Sequence, residues 1–333
     1  MNWHQFEKDQ PIAARLLKNS LEHHRIAHAY LFEGDHGTGK KAGSLLMAAS
    51  LFCEESGQNV NPCGHCTNCK RINSGNHPDV HHVEPDGFSI KIDQIRALRT
   101  EFSKSGMESS RKLYIIKDAE KMTVQAANSL LKFLEEPHSG TTAVLITEQP
   151  QQLLPTIISR CQSVPFFSLT PEQFAKKLEE AGVLKGKTAL LSMITNDLQE
   201  ALRLSDDDWF AQARKIVLKL YEAMKQNSLY AMISIQTEWL GHFKEKAQHE
   251  LGLSLLLYIY KDMLNIQLGK DRQLIYPDQR EMLERDALHT SMKRLSDQMT
   301  AILEAKRKLH ANMNPQLLME QLVLNLQGGP SFV

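Results

Sequence analysis

The sequence predicts an α/β fold in its first half, a parallel sheet with helices on both faces, and an all-helical remainder. Three observations carry this expectation. Short apolar runs alternate with segments of helical period up to about residue 170. The runs are close to continuous, as strands buried on both faces must be. After Leu169 the helical period persists and no convincing strand alternation returns.

Taken in order, IAARLLKNSLEHH (Ile12–His24) has helical spacing, and AYLFEG (Ala29–Gly34) reads as a strand entering a turn. KKAGSLLMAASLF follows as a helix, and VHHVEP and KLYIIKD as further strands. VQAANSLLKFLEEP is a helix stopped by Pro137, TAVLITEQ the next strand and QSVPFF a last short one. Thr170 followed by Pro171 is an N-cap with proline at the first helical position, and Gly182 closes that helix. Two short helical segments lead to about Leu204. Beyond them DWFAQARKIVLKLYEAMKQ, LGLSLLLYIYKDMLNIQLG, LSDQMTAILEAKRKLHANM and PQLLMEQLVLNLQ are helical by period, with DRQLIYPDQRE as the main break. The predicted boundaries are 1–168, 169–205 and 206–333, and the tail GGPSFV is expected to fray.

At 333 residues two or three domains are expected, and 42% apolar with 23% charged residues describes a globular rather than a disordered chain. Lys+Arg and Asp+Glu both number 39, so the bulk charge makes no case for nucleic-acid or membrane binding. No charged n-region precedes an apolar stretch at the start, so secretion is not expected. The greasiest run, LGLSLLLYIY (Leu251–Tyr260), is about half the roughly 20 residues of a membrane span and reads as a buried helix.

LFEGDHGTGKKAG (Leu31–Gly43) nearly spells a phosphate-binding loop. Gly34, Gly37, Gly39 and Lys40 lie between a strand and a helix, where backbone N–H groups, a lysine and a helix dipole can hold phosphate. The plainer reading is a Gly-rich turn. Hydrolysis also needs a hydroxyl after the lysine to hold Mg²⁺, and Lys41 has none. At the end of KLYIIKD, Lys117 stands where a metal-associated acid is expected, with Asp118 next and Glu120 beyond. Because one step along a strand reverses the face, Asp118 is not expected to serve in its place.

Cys53, Cys63, Cys66 and Cys69 have the spacing C-x9-C-x2-C-x2-C. Four thiolates fit one tetrahedral zinc with no open position, so a structural Zn²⁺ in a reducing cytoplasm is expected. An iron–sulfur cluster and four unliganded thiols are the alternatives. His65, His81 and His82 read as surface residues, and Cys161 as a small buried side chain rather than a fifth ligand.

Together HAYLFEGDHGTGK, the four-cysteine insertion, AANSLLKFLEEP and TIISRCQSVPF resemble the bacterial clamp-loader subunits of the AAA+ family. The likeness is strong from about residue 5 to 170, weaker through the next segment and only architectural in the C-terminal third. It implies an AAA+ core over 1–168 with the zinc module at 53–69, a three-helix lid over 169–205 and a ring-forming collar over 206–333. In NDLQEAL, Gln199 falls where active subunits have a phosphate-sensing arginine. With Lys41 and Lys117 this makes the site similar to members without ATPase activity rather than to the ATP-hydrolysing gamma/tau type. ATP or ADP in the loop is doubtful on this reading. Arg160, in Ser159–Arg160–Cys161, matches the family's arginine finger, which reaches the γ-phosphate of a neighbour's ATP; an arginine capping the preceding helix is the plainer alternative. Glu135, Glu136 and Pro137 are expected at a helix end and an inter-subunit surface. Arg96, Arg99, Lys104, Arg111 and Lys112 read as a solvated face, with a DNA-facing side as the alternative. The partners implied are gamma/tau and delta-type subunits, the sliding clamp and primer-template DNA, in the cytoplasm at the replisome and with no membrane. The rival readings are an active ATPase using Asp118 and a zinc-dependent nucleic-acid-binding adaptor.

Overall fold

The five segments read as strands form one parallel sheet: β1 (Ala29–Glu33), β2 (Val80–Val83), β3 (Lys112–Ile116), β4 (Thr141–Thr147) and β5 (Gln162–Pro165), ordered β2-β3-β4-β1-β5. The computed structural model describes residues 2–55, 60–102, 111–136, 138–270 and 274–328. Lys104, Pro137, the side chain of Arg99 and the tail from 329 lie outside the described residues. β3 and β4 are buried along their whole length, whereas the edge strands β2 and β5 each expose residues. That gradient is why the central runs read most clearly as apolar.

The period of two divides the strand residues between two cores. Tyr30, Phe32, Leu113, Ile115, Val144 and Ile146 belong to one, with residues of α1 (Trp3–Asp9), α2 (Pro11–Glu22), α3 (Lys40–Phe52) and α4 (Thr67–Asn73). Leu31, Tyr114, Ile116, Ala143 and Leu145 belong to the other, with residues of α5 (Ile92–Phe102), α6 (Val124–Glu135) and α7 (Pro155–Ile158). The expected two-faced parallel sheet is therefore present. Helices α1, α4 and α5 were not legible as helices. α1 and α4 are only 7 residues each, too short for a clear period.

The chain folds as two compact units, Met1–Leu169 and Thr170–Val333. The second opens with α8 (Pro171–Glu180), where Thr170 and Gln173 form a reciprocal capping box. α9 (Lys185–Ile194) and α10 (Leu198–Ser205) follow. The rest comprises α11 (Asp208–Gln226), α12 (Ser228–Ser234), a π-turn at Ile235–Trp239, α13 (Leu240–His242), α14 (Lys246–Gln267), α15 (Arg280–Leu288), α16 (Met292–His310) and α17 (Pro315–Gln327). Within this unit the Tyr258 hydroxyl of α14 donates to the Met193 carbonyl of α9 at 2.6 Å.

The segment read as a break between helices is partly core. Leu274, Ile275 and Tyr276 are buried, and the buried Asp262 carboxylate accepts the N–H groups of Ile275 and Tyr276 at 2.9 and 2.8 Å. Pro277 then starts a single turn before α15. Gly252 of α14 lies against the Trp239 indole, where a Cβ would stand 2.6 Å from the ring. Among the described residues no helix is long and apolar enough to cross a membrane.

Candidate functional site

The loop after β1 sits at the carboxyl end of the sheet. β1 lies between β4 and β5 while the chain runs on to β2 at the far edge, a switch point of the kind at which α/β sheets place ligands. Gly34 has φ 150°, and a Cβ there would stand 2.2 Å from the Phe166 carbonyl oxygen. The Phe166 N–H donates to the Glu33 carbonyl at 2.8 Å, so β5 continues against the loop and leaves no space for a side chain. Gly39 is left-handed at φ 87° and has open space where a Cβ would stand, so its requirement is conformational. Gly34→Ala is expected to lower the stability of the first unit by on the order of 3 kcal/mol in a denaturant titration, because clash and strain add; Gly39→Ala is expected to cost about 1 kcal/mol.

Lys40 does not reach outward. It is 6% exposed, and its ammonium donates to the carbonyls of Gly34 and Asp35, each at 2.5 Å. Burial lowers its pKa, opposed by the charges of Glu148, Asp35, Glu120 and Asp118. Buried Gln10 holds the loop from behind: its amide donates to the carbonyls of Thr38 and Phe167 at 3.0 and 2.6 Å and accepts the Phe167 N–H. No motif marked Gln10, because its partners lie as far as 157 residues away.

Lys41 and Lys117 share one acidic neighbour. Lys41 Nζ is 3.9 Å and Lys117 Nζ 4.0 Å from the same Glu84 carboxylate oxygen, just past β2. Asp118 lies beyond the strand. β3 ends at Ile116, and Asp118 is left-handed at φ 51°, so strand alternation no longer governs it. Its carboxylate pairs with Lys121 at 3.0 Å. Glu120 accepts the Thr147 hydroxyl at 2.7 Å. Gln199 lies exposed in the first turn of α10.

The four cysteines come together. The Sγ atoms of Cys53, Cys63, Cys66 and Cys69 all lie within 4.8 Å of one another, with Cys63 and Cys69 at 4.0 Å. Tetrahedral coordination at about 2.3 Å per sulfur sets edges of about 3.8 Å, so the donor set fits one ion. Backbone N–H groups of Cys63, Cys66 and Cys69 donate to the sulfurs of Cys53, Cys63 and Cys66 at 3.3, 3.2 and 3.4 Å. Burial opposes ionisation of Cys66, but the N–H groups of Cys69 and Glu54 and the adjacent thiols bring its pKa down to about 7. Burial pushes Cys63 and Cys69 up. His65 pairs with Glu55 at 3.4 Å on the surface. Cys161 is half-buried beside the second core, and burial raises its thiol to about 12.

Arg160 follows α7. Its Nη1 donates to the Thr156 carbonyl of that helix at 2.9 Å, a helix-capping contact, and its Nη2 pairs with Glu135 at 2.9 Å. The side chain stays 35% exposed. Glu135 ends α6 and Glu136 is its C-cap, as expected. Among the described basic residues, Arg96 pairs with Asp93 on α5, whereas Lys112 is buried at the start of β3.

A family model described as "DNA polymerase III, delta subunit" matches residues 9–170, and one described as "DNA polymerase III, delta subunit, C terminal" matches residues 208–328. The chain is 52% identical to DNA polymerase III subunit delta' of Bacillus subtilis over 99% of both chains. It is 30% identical to the corresponding Pseudomonas aeruginosa subunit, over 90% of this chain and 91% of that one. It is also 27% identical to the Bacillus subtilis subunit tau, over 94% of this chain and 59% of the other. These matches run through both compact units, and the chain therefore belongs to the delta' clamp-loader subunits of DNA polymerase III.

Proposed function

We propose that this chain is the non-hydrolysing member of a clamp loader and acts on ATP through Arg160, in the pocket of an adjacent tau- or gamma-type subunit. One observation carries the reading. Lys40 is bound to its own loop's carbonyls and Lys41 and Lys117 lie near Glu84, whereas Arg160 is a half-exposed, partly tethered cation. An arginine presented to a γ-phosphate stabilises the charge that develops as the phosphoryl group transfers. The loop keeps Gly34 for the close approach of Phe166 and Gly39 for its left-handed backbone, rather than for turnover. Likeness to tau and delta' proteins supports partnership with the ATPase and delta-type subunits, and through them with the sliding clamp and primer-template DNA.

The metal of the four-cysteine module is proposed to be one zinc, held by Cys53, Cys63, Cys66 and Cys69. Sulfurs this close suit a single ion, whereas in an iron–sulfur cluster the cysteines bind separate irons. With four thiolates it supplies structure and no reactive position. Residues 169–205 are proposed as a lid and 206–333 as a collar. The collar reading is supported by exposed Leu229, Tyr230 and Ile233 on α12 and by Leu317 and Leu324 on α17, apolar positions suited to neighbouring subunits. The isolated chain is expected to show no magnesium-dependent ATP turnover above background in a phosphate-release assay. Adding it to a tau-type subunit with the delta-type subunit, clamp and primed DNA is expected to raise turnover; hydrolysis by the isolated chain would overturn the assignment.

A further inference from the structure

We propose that Glu135 is a positioning residue for Arg160, holding the guanidinium so that its remaining N–H edge is ready for a phosphate on a neighbouring subunit. The proposal rests on the finger reading of Arg160. A guanidinium offers five N–H donors in one plane. Here one from Nη1 goes to the Thr156 carbonyl and one from Nη2 to Glu135 Oε1, both at 2.9 Å. Two anchors on one plane fix its tilt as well as its place, while the side chain stays 35% exposed.

Both anchors are carried on packed elements. Phe133 and Leu134, immediately before Glu135, are buried in the same core as Leu153 and Ile157, which flank the start of α7. A long flexible side chain loses rotamer freedom when it engages a phosphate, and ordering it beforehand removes that cost from the transition state.

Glu135 is also at odds with its own helix. It is the last residue of α6, where the exposed carbonyls repel a carboxylate, and Glu136 adds a second acid at the cap. A residue that opposes local stability at a helix end is expected where function holds it. Arg160 supplies the charge that offsets it.

The test uses the full clamp-loader complex, assembled with wild-type chain, Glu135→Ala, Glu135→Gln, Arg160→Ala and the double variant. The expected result is a roughly tenfold fall in kcat for clamp- and DNA-stimulated ATP hydrolysis in Glu135→Ala, with KM for ATP unchanged. Glu135→Gln, whose amide oxygen still accepts the Nη2 proton, recovers most of that loss. Neither variant lowers the Tm of the chain, and the double variant is no slower than Arg160→Ala. Wild-type or higher turnover in Glu135→Ala overturns the proposal, the higher rate identifying the ion pair as a restraint on the finger. A double variant slower than Arg160→Ala overturns it too, since Glu135 would then act apart from Arg160. If Arg160→Ala alone turns over normally, the finger reading itself fails; a large loss there with unaffected Glu135→Ala removes only the role of Glu135.

Discussion

Stripping the metal from the four-cysteine module with a chelator is expected to lower the melting temperature of the first unit by roughly 10 °C or more. The magnitude follows from where the module sits. Cys66 and Cys69 are 7% and 1% exposed and share a core with Trp3, Phe6, Leu46, Met47 and residues from the strands of the sheet. Without the ion, crowded thiols face one another at that core, and the N–H groups aimed at the sulfurs lose their charged acceptors. Trp3 reports on the event, because its indole N–H donates to Ser50 Oγ at 2.9 Å and to the Val60 carbonyl at 3.1 Å, inside the stretch the metal closes. A red shift of its emission, in a chain with Trp209 and Trp239 replaced by phenylalanine, should accompany chelation. Cys69→Ser should reproduce the loss while Cys161→Ser stays near wild type. Metal analysis should find about one zinc per chain; iron, or an unchanged melting temperature after complete metal removal, contradicts the structural-zinc assignment.

Arg160→Ala is expected to slow ATP hydrolysis at the site it completes by about 10³-fold or more. The effect should fall on kcat, because the guanidinium meets charge that is larger in the transition state than in bound ATP. Complexes in which only that site can hydrolyse make the loss readable, since otherwise the remaining sites mask it. Arg160→Lys should recover little. It keeps the charge but loses the planar fork that bonds Thr156 and Glu135 through separate nitrogens and has further N–H groups to offer. Folding is not at issue, as the contacts surrendered are one exposed ion pair and one bond to a helix carbonyl.

Much of the first unit was legible because its signals are local. Near-continuous apolar runs marked the central strands β1, β3 and β4, and Gly34, Gly39 and Lys40 marked the turn between β1 and α3. The cysteine spacing marked a site whose sulfurs do meet. What escaped was long-range polar pairing, which leaves no period. Gln10 binds Phe167, Glu84 stands between Lys41 and Lys117, Glu135 meets Arg160 from 25 residues away, and Asp262 pins Ile275 and Tyr276. Asp118 shows a different limit. Alternation applies only while a strand lasts, and β3 ends at Ile116, so the period does not decide where Asp118 faces.

The most direct measurement compares Arg160→Ala with Lys40→Ala in the same reconstituted complex, by single-turnover hydrolysis with clamp and primed DNA. The Lys40 ammonium is engaged by the carbonyls of Gly34 and Asp35, so its removal should disturb the loop and leave hydrolysis near wild type. A large loss for Arg160→Ala and a small one for Lys40→Ala is the expected result. The reverse order, with Lys40 essential and Arg160 dispensable, would place the chemistry in this chain's own loop and contradict the assignment.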